Sequence, residues 1–137
     1  MYKLIVKLYT KHLENLVEKY CNIYHFDMEP NHTSYNNEGD AFKHFLMQAE
    51  LSLFLGQKIA EWIGIKHEDN NPYNTEKERN MDLWNNREGR KVAKYIKQNK
   101  FWFLNLSNTY YLMVERIMIK LNAGELITDI NDERKYK

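Results

Sequence analysis

Two short blocks of this 137-residue sequence carry imidazole and carboxylate side chains close together. The first places Asp40 four residues before His44, so on a helix the two side chains share one face. The second is the pair His67-Glu68. Imidazole with carboxylate can bind a divalent metal ion that activates water, or can transfer protons without a metal. The two blocks therefore predict a polar site.

A third block, "NMDLWNNREGR", occupies residues 80–90, in a segment with helical periodicity. Asp82, Asn86 and Arg90 recur every four residues and form one polar stripe, with Gly89 on the same side. Asn and Gly are poor helix formers. Their presence indicates that something approaches this helix closely: a ligand, a metal with its water, or histidines of neighbouring helices.

The three blocks supply the candidate functional residues. We expect the catalytic groups to be His44, His67, Glu68 and Asp82. We expect the substrate-binding groups to be Lys43, Asn85, Asn86 and Arg90. If the cofactor, which the sequence leaves open, is a divalent metal ion, its candidate ligands are Asp40, His44, His67 and Asp82.

Three interpretations of these blocks are open. The first is a small effector-like hydrolase, with or without a metal, acting on a phosphodiester or another polar bond. The second is a non-catalytic binding or inhibitor module, such as a phage or bacterial conflict protein that sequesters a ligand or blocks a partner. The third is an internal hydrogen-bond network that only fixes the fold. The motifs HExxH, CxxC, GxSxG and Walker A are missing from the sequence, so residue spacing does not choose between them.

Helices are the elements that must position these residues, because the sequence has only two Pro and five Gly. Apolar periodicity and end signals predict five of them, at about residues 3–23, 40–56, 57–68, 75–99 and 109–124. Asp40 is expected as an N-cap or first-turn acid, and Thr75 with Glu78 fits a capping box. Gly56 and Gly124 are expected to end helices. The longest loop, residues 25–39, is expected to be functional or mobile.

The predicted fold class is all-α, a single compact domain of about five helices over residues 1–137. The motif-bearing core covers about residues 38–98. Residues 125–137 form a polar tail that packs through Leu126, Ile127 and Ile130.

Composition favours a globular protein, with 43% hydrophobic and 28% charged residues. The net charge of +1 gives no strong nucleic-acid signal, although a local basic face remains compatible with it. Cys21 is the only cysteine, which favours a reducing compartment. We recognise no signal peptide or transmembrane segment and expect a cytoplasmic protein as synthesised. The expected partner is a small polar substrate or another protein.

The order of the blocks "GDAFKHF", "KHED" and "NMDLWNNREGR" resembles an uncharacterised bacterial all-helical family. Its pattern is close to D-A-F-[RK]-H, then H-E, then M-D-L-x-N-N-x-x-G-R, and its members are free-standing or end toxin-like or secreted proteins. The resemblance covers about residues 38–98 and implies a hydrolytic or effector role at the matching positions. Lys43 stands where the family usually has Arg. Trp84 stands where aromatic or His residues are common.

Overall fold

Five α-helices form the framework of the computed structural model, which describes residues 2–29 and 35–137. The helices are α1 (Tyr2–Tyr24), α2 (Glu38–Leu55), α3 (Gln57–Asp69), α4 (Glu76–Ile96) and α5 (Leu106–Asn122), and a short 3-10 helix spans Trp102–Leu104. The predicted all-α class is confirmed. The predicted loop 25–39 includes residues 30–34, which lie outside the described residues. No described helix is both long and apolar enough to cross a bilayer.

Helix α2 is the centre of the core, and α4 is its most extensive neighbour. Phe42, Phe45 and Leu46 of α2 are fully buried. Gly89 lets α4 approach α2 closely, because a Cβ at that position would lie 2.3 Å from the backbone oxygen of Phe45. The close approach inferred for Gly89 from the sequence is therefore made by the backbone of a neighbouring helix.

The helix ends follow local signals in the sequence. Asp40 lies in the first turn of α2, while Asn37 is the N-cap and accepts a hydrogen bond from the Asp40 amide. Thr75 caps α4 by accepting from the amide of Glu78, as predicted. Gly56 ends α2 with a φ of 93°, a left-handed conformation that favours glycine.

Two helix boundaries differ from the prediction. Helix α4 ends at Ile96 rather than near residue 99. Helix α5 begins at Leu106 rather than residue 109, because the Asn105 side chain accepts from the amide of Asn108 and caps the helix one turn earlier.

The polar C-terminal tail is fastened to α4 by side chains of the third sequence block. Asn85 donates to the carbonyl oxygen of Ile127 at 2.8 Å and accepts from its amide at 2.9 Å. Trp84 donates to the carbonyl of Glu125, and Asn80 donates to that of Arg134. These contacts cover one side of α4 and explain two of its three asparagines.

Candidate metal centre

Four ionisable side chains from three helices meet beneath the first turns of α2. His44 Nε2 lies 3.4 Å from Oδ1 of Asp40, one turn earlier on α2, and 3.3 Å from Oδ1 of Asp82 on α4. One ligand atom from each of these three residues lies within 4.8 Å of the others, a spacing at which the set could hold a metal ion. Glu68 of α3 adds a fourth group, near enough to His44 and Asp82 to affect the pKa of each. We call Asp40, His44, Glu68 and Asp82 the polar centre.

The polar centre is buried but not saturated with hydrogen bonds. Its four residues are between 3% and 8% exposed. Within the described part of the chain, His44 Nδ1, Glu68 Oε1 and Asp82 Oδ1 have no hydrogen-bond partner. Asp82 Oδ1 and His44 Nε2 are close enough for an ion pair, but their angles do not fit a hydrogen bond. A proton held between Asp82 and Glu68 would let one carboxyl group donate to the other, and the pKa of Asp82 is raised by this contact among others.

Asp40 and His44 form the charged half of the polar centre. Burial alone would lower the pKa of His44, but the carboxylates of Asp82 and Asp40 outweigh it and raise that pKa to about 9. Burial opposes ionisation of Asp40, yet His44, Lys43 and the backbone amide of Asn36 lower its pKa to about 2. The imidazole is therefore protonated at neutral pH beside an ionised carboxylate.

The pKa of Asp82 is shifted in the opposite direction to that of Asp40. Burial raises the pKa of Asp82 well above its ordinary value, and the carboxylates of Glu68 and Asp40 raise it further against the opposing effect of His44. Two carboxyl groups that share a buried site do not both ionise easily. The Asp82–Glu68 side of the polar centre therefore has an affinity for a proton or another cation.

Residues around the polar centre hold its carboxylates in place. The amide of Asn36 donates to Asp40 Oδ2 at 2.8 Å, from a backbone with a φ of 54° that Asn tolerates better than most residues. Lys43 Nζ lies 3.2 Å from Asp40 Oδ1 and is 28% exposed. Asn74, in the loop before α4, donates to Glu68 Oε2. Sequence reasoning missed Asn36 and Asn74, because neither lies in a block with helical spacing.

His67 does not join the polar centre. Its side chain is exposed, whereas the next residue, Glu68, is buried. Successive helical residues point about 100° apart, so one of the two faces α2 and α4 and the other faces solvent. Of the four predicted metal ligands, the structure brings together Asp40, His44 and Asp82.

The predicted substrate-binding residues have different surroundings. Lys43 borders the polar centre. Asn85 is fully buried with its amide hydrogen-bonded to Ile127, so its described contacts are with the tail. Arg90 is buried and donates to Gln48 Oε1 at 2.9 Å, which makes it part of the α2–α4 contact. Asn86 is fully buried beside Gly64, and neither polar atom of its side chain has a partner among the described residues.

A cavity of about 420 Å³ lies next to the polar centre, and Asn36 lines it. Its other lining residues include four acids: Asp27, Glu29, Glu38 and Asp129. Such a lining repels anions.

A family model described as a domain of unknown function, DUF6973, matches residues 7–125, a range that includes the whole polar centre. Neither a curated protein nor a solved structure matches the chain significantly. The chain therefore belongs to the DUF6973 family.

Proposed function

We propose that this protein is a metal-assisted hydrolase, with a divalent ion held by Asp40, His44 and Asp82. The observation that carries the proposal is the convergence of their three ligand atoms within 4.8 Å in a buried site.

The donor set indicates which ions fit. One imidazole with two carboxylates suits Zn²⁺, Mn²⁺ or Fe²⁺, whereas Mg²⁺ and Ca²⁺ prefer sites made of oxygen atoms alone. Such an ion would supply a water ligand of lowered pKa and would polarise the bond to be cleaved. Binding requires His44 to release its proton, so proton and metal compete for this imidazole.

The residues around the proposed metal ion suggest which side chain would take each role in the reaction. Glu68 lies beside Asp82 and is not one of the three proposed ligands, so Glu68 is our candidate for accepting a proton from the attacking water. Lys43 places a partly exposed positive charge next to Asp40. A cation in this position favours an anionic substrate, and we infer a phosphodiester rather than a neutral polar bond. His67 and Asn85 receive no role in this scheme.

The test is metal uptake and hydrolysis by the purified chain. After removal of bound metal with a chelator, the protein should take up about one equivalent of Zn²⁺ or Mn²⁺, measured by elemental analysis after gel filtration. The loaded protein should hydrolyse bis(p-nitrophenyl) phosphate. His44→Gln should abolish both uptake and hydrolysis while remaining folded.

Glu50→Gln is the matched control for this test. Glu50 is also a buried acid of α2, but its partners are His12 and Tyr110, away from the polar centre. This variant should keep metal uptake and hydrolysis. A wild-type protein that folds, takes up no divalent ion and cleaves no phosphodiester would contradict the proposal.

The burial of the polar centre favours one alternative, a non-catalytic binding module. With its residues at most 8% exposed, the polar centre offers a substrate little open space. An ion-sequestering or partner-blocking protein needs no such space. Stoichiometric metal uptake without turnover on phosphodiester, phosphomonoester and peptide substrates would favour this alternative.

A further inference from the structure

The end of α2 opposite the polar centre exposes large apolar side chains. Asp40 lies in the first turn of α2, and Phe54 and Leu55 lie in its last turn. At 1.5 Å per residue, the fourteen residues from Asp40 to Phe54 span roughly 21 Å. Phe54 and Leu55 are nevertheless 54% and 48% exposed.

The segment that follows α4 reaches the same end of the molecule. Lys97 Nζ donates to the carbonyl oxygen of Ser52 at 2.9 Å, which places the end of α4 beside the end of α2. The ring of Trp102 meets that of Phe54 edge-to-face at 5.5 Å. The 3-10 helix therefore lies directly against the exposed C-terminal turn of α2.

Helix α1 brings a third element to this end, because it runs antiparallel to α2. Tyr20 contacts Phe42 with ring centroids 5.7 Å apart, and His12 contacts Glu50 at 3.1 Å. The step from Tyr20 to His12 runs eight residues towards the N-terminus of α1, and the step between their partners on α2 runs eight residues towards its C-terminus. Four more residues in the same register place Leu8 near the level of Phe54.

Six exposed side chains from these three elements form what we call the apolar end. They are 48–70% exposed and are Leu8, Phe54, Leu55, Phe101, Phe103 and Leu104. Scattered exposed apolar residues are normal, but a group of this size on one end of a small domain marks an interaction surface.

Lysines of α1 and of the segment after α4 border the apolar end. Helix α1 exposes Lys3, Lys7 and Lys11, and its first acid is Glu14. Lys97 and Lys100 lie between the end of α4 and Phe101. Five lysines therefore add positive charge to this end of the molecule: Lys3, Lys7, Lys11, Lys97 and Lys100.

We propose that the apolar end docks on an anionic lipid bilayer. Interfacial membrane binding has two features. Apolar side chains enter the headgroup region, and neighbouring lysines attract anionic lipid. Leucines form half of the apolar end, which argues against single-stranded nucleic acid, whose bases stack on aromatic rings. Docked in this way, the protein holds its polar centre at the far end of α2, away from the bilayer surface.

Vesicle sedimentation with the full chain tests this proposal. The protein should sediment with vesicles of phosphatidylcholine and phosphatidylglycerol, and sedimentation should weaken with added salt and on vesicles of phosphatidylcholine alone. The double variant Phe101→Ser, Phe103→Ser should lower the partition coefficient by about tenfold or more, since binding scales with buried apolar area. Lys100→Glu should also lower it, by several-fold.

Two controls come from the other end of the molecule. Tyr73→Ser removes an exposed aromatic ring and Lys77→Glu reverses an exposed charge, and both variants should sediment like the wild type. The Phe101→Ser, Phe103→Ser variant should keep wild-type metal uptake, which separates this proposal from the proposed function. Failure of the wild type to bind anionic vesicles at low salt would overturn the proposal. So would a wild-type dimer that the double variant dissociates, because the apolar end would then be an interface between two copies.

Discussion

His44 on α2 and Asp82 on α4 meet with Nε2 and Oδ1 3.3 Å apart, in the interior of the domain. A close hydrogen-bonded pair would be a common way to fix two helices. Here the contact lacks hydrogen-bond direction, and Asp82 Oδ1 and His44 Nδ1 are both left without partners in the described structure. One ligand atom from each of these two residues and from Asp40 lies within 4.8 Å of the others, and the proposed metal site rests on this spacing.

Two substitutions that remove a single carboxylate should differ in their effect on stability. Asp82→Asn should change the free energy of unfolding of the metal-free protein less than Asp40→Asn does, because burial and the neighbouring carboxylates disfavour the ionised form of Asp82 and oppose the stabilisation that its charge gives to the His44 imidazolium. Asp40→Asn should lower the free energy of unfolding, because His44 and Lys43 stabilise the ionised form of Asp40. Urea unfolding of the two variants in the presence of a chelator measures the difference.

The same two variants should behave alike in metal binding. Each removes one proposed ligand, so each should lower affinity for Zn²⁺ by more than about 100-fold, beyond the 10–100-fold typical of outer-shell residues. Isothermal titration calorimetry provides the measurement. If Asp82→Asn destabilises the protein strongly and Zn²⁺ affinity is unaffected, the polar centre is a structural network.

The stability of the metal-free protein should fall at alkaline pH. The pKa of His44 is raised from 6.5 to about 9 in the fold, so its stabilising contribution is fully present below pH 6.5 and is lost as the pH rises through about 9. The loss should amount to a few kcal/mol. Urea unfolding across this range, with chelator present, should show the decline in the wild type. The stability of His44→Gln should depend much less on pH. An equal decline in both proteins would show that His44 is not the group responsible.

Metal affinity should show the opposite dependence on pH. Because Zn²⁺ must displace the proton from His44, and any proton that Asp82 holds, its apparent affinity should increase by up to tenfold per pH unit for each proton displaced, up to about pH 9. Competition with a chelator of known affinity at several pH values measures this slope. A pH-independent affinity would show that the imidazole of His44 is not a ligand.

The sequence was sufficient to predict the helices, and three of the four residues that it offered as metal ligands, Asp40, His44 and Asp82, lie together in the structure. Whether they bind a metal stays a prediction. Asp40 and His44 are one turn apart, and apolar periodicity located α2 and α4 around them. The sequence could not decide which of His67 and Glu68 points inward. That choice depends on how α3 rotates against α2 and α4, and the polar block itself contains no apolar residue to define the buried face.

Asn85 and Asn86 illustrate the same limit. Both are fully buried, on different sides of α4. Asn85 meets the backbone of Ile127, and Asn86 lies beside Gly64. The partner of Asn85 lies 42 residues later in the chain, and spacing within one helix does not reveal such a contact. The sequence alone therefore gave no reason to separate Asn85 from the residues of a ligand site.

Gly89→Ala should destabilise the protein although alanine is the better helix former. The added Cβ would lie 2.3 Å from the carbonyl oxygen of Phe45, and backbone atoms in a helix cannot yield without moving α2 relative to α4. We expect a loss of at least about 1–3 kcal/mol in the free energy of unfolding, as for overpacked cores. Lys94→Ala, on the exposed face of α4, is the control and should stay within about 0.5 kcal/mol. Equal stability of Gly89→Ala and the wild type would show that the α2–α4 approach is looser than described.

Asn85→Ala should release the C-terminal tail without affecting the metal site. The substitution leaves the buried amide and carbonyl of Ile127 without their partner, and each unsatisfied group costs about 1–3 kcal/mol. We expect faster cleavage of residues 125–137 in limited proteolysis and a lower free energy of unfolding, with unchanged affinity for Zn²⁺. Asn108→Ala, an exposed amide on α5, controls for the loss of a side chain. If Asn85→Ala instead abolished hydrolysis while the tail stayed protected, Asn85 would contact substrate, as its place among the sequence blocks first suggested.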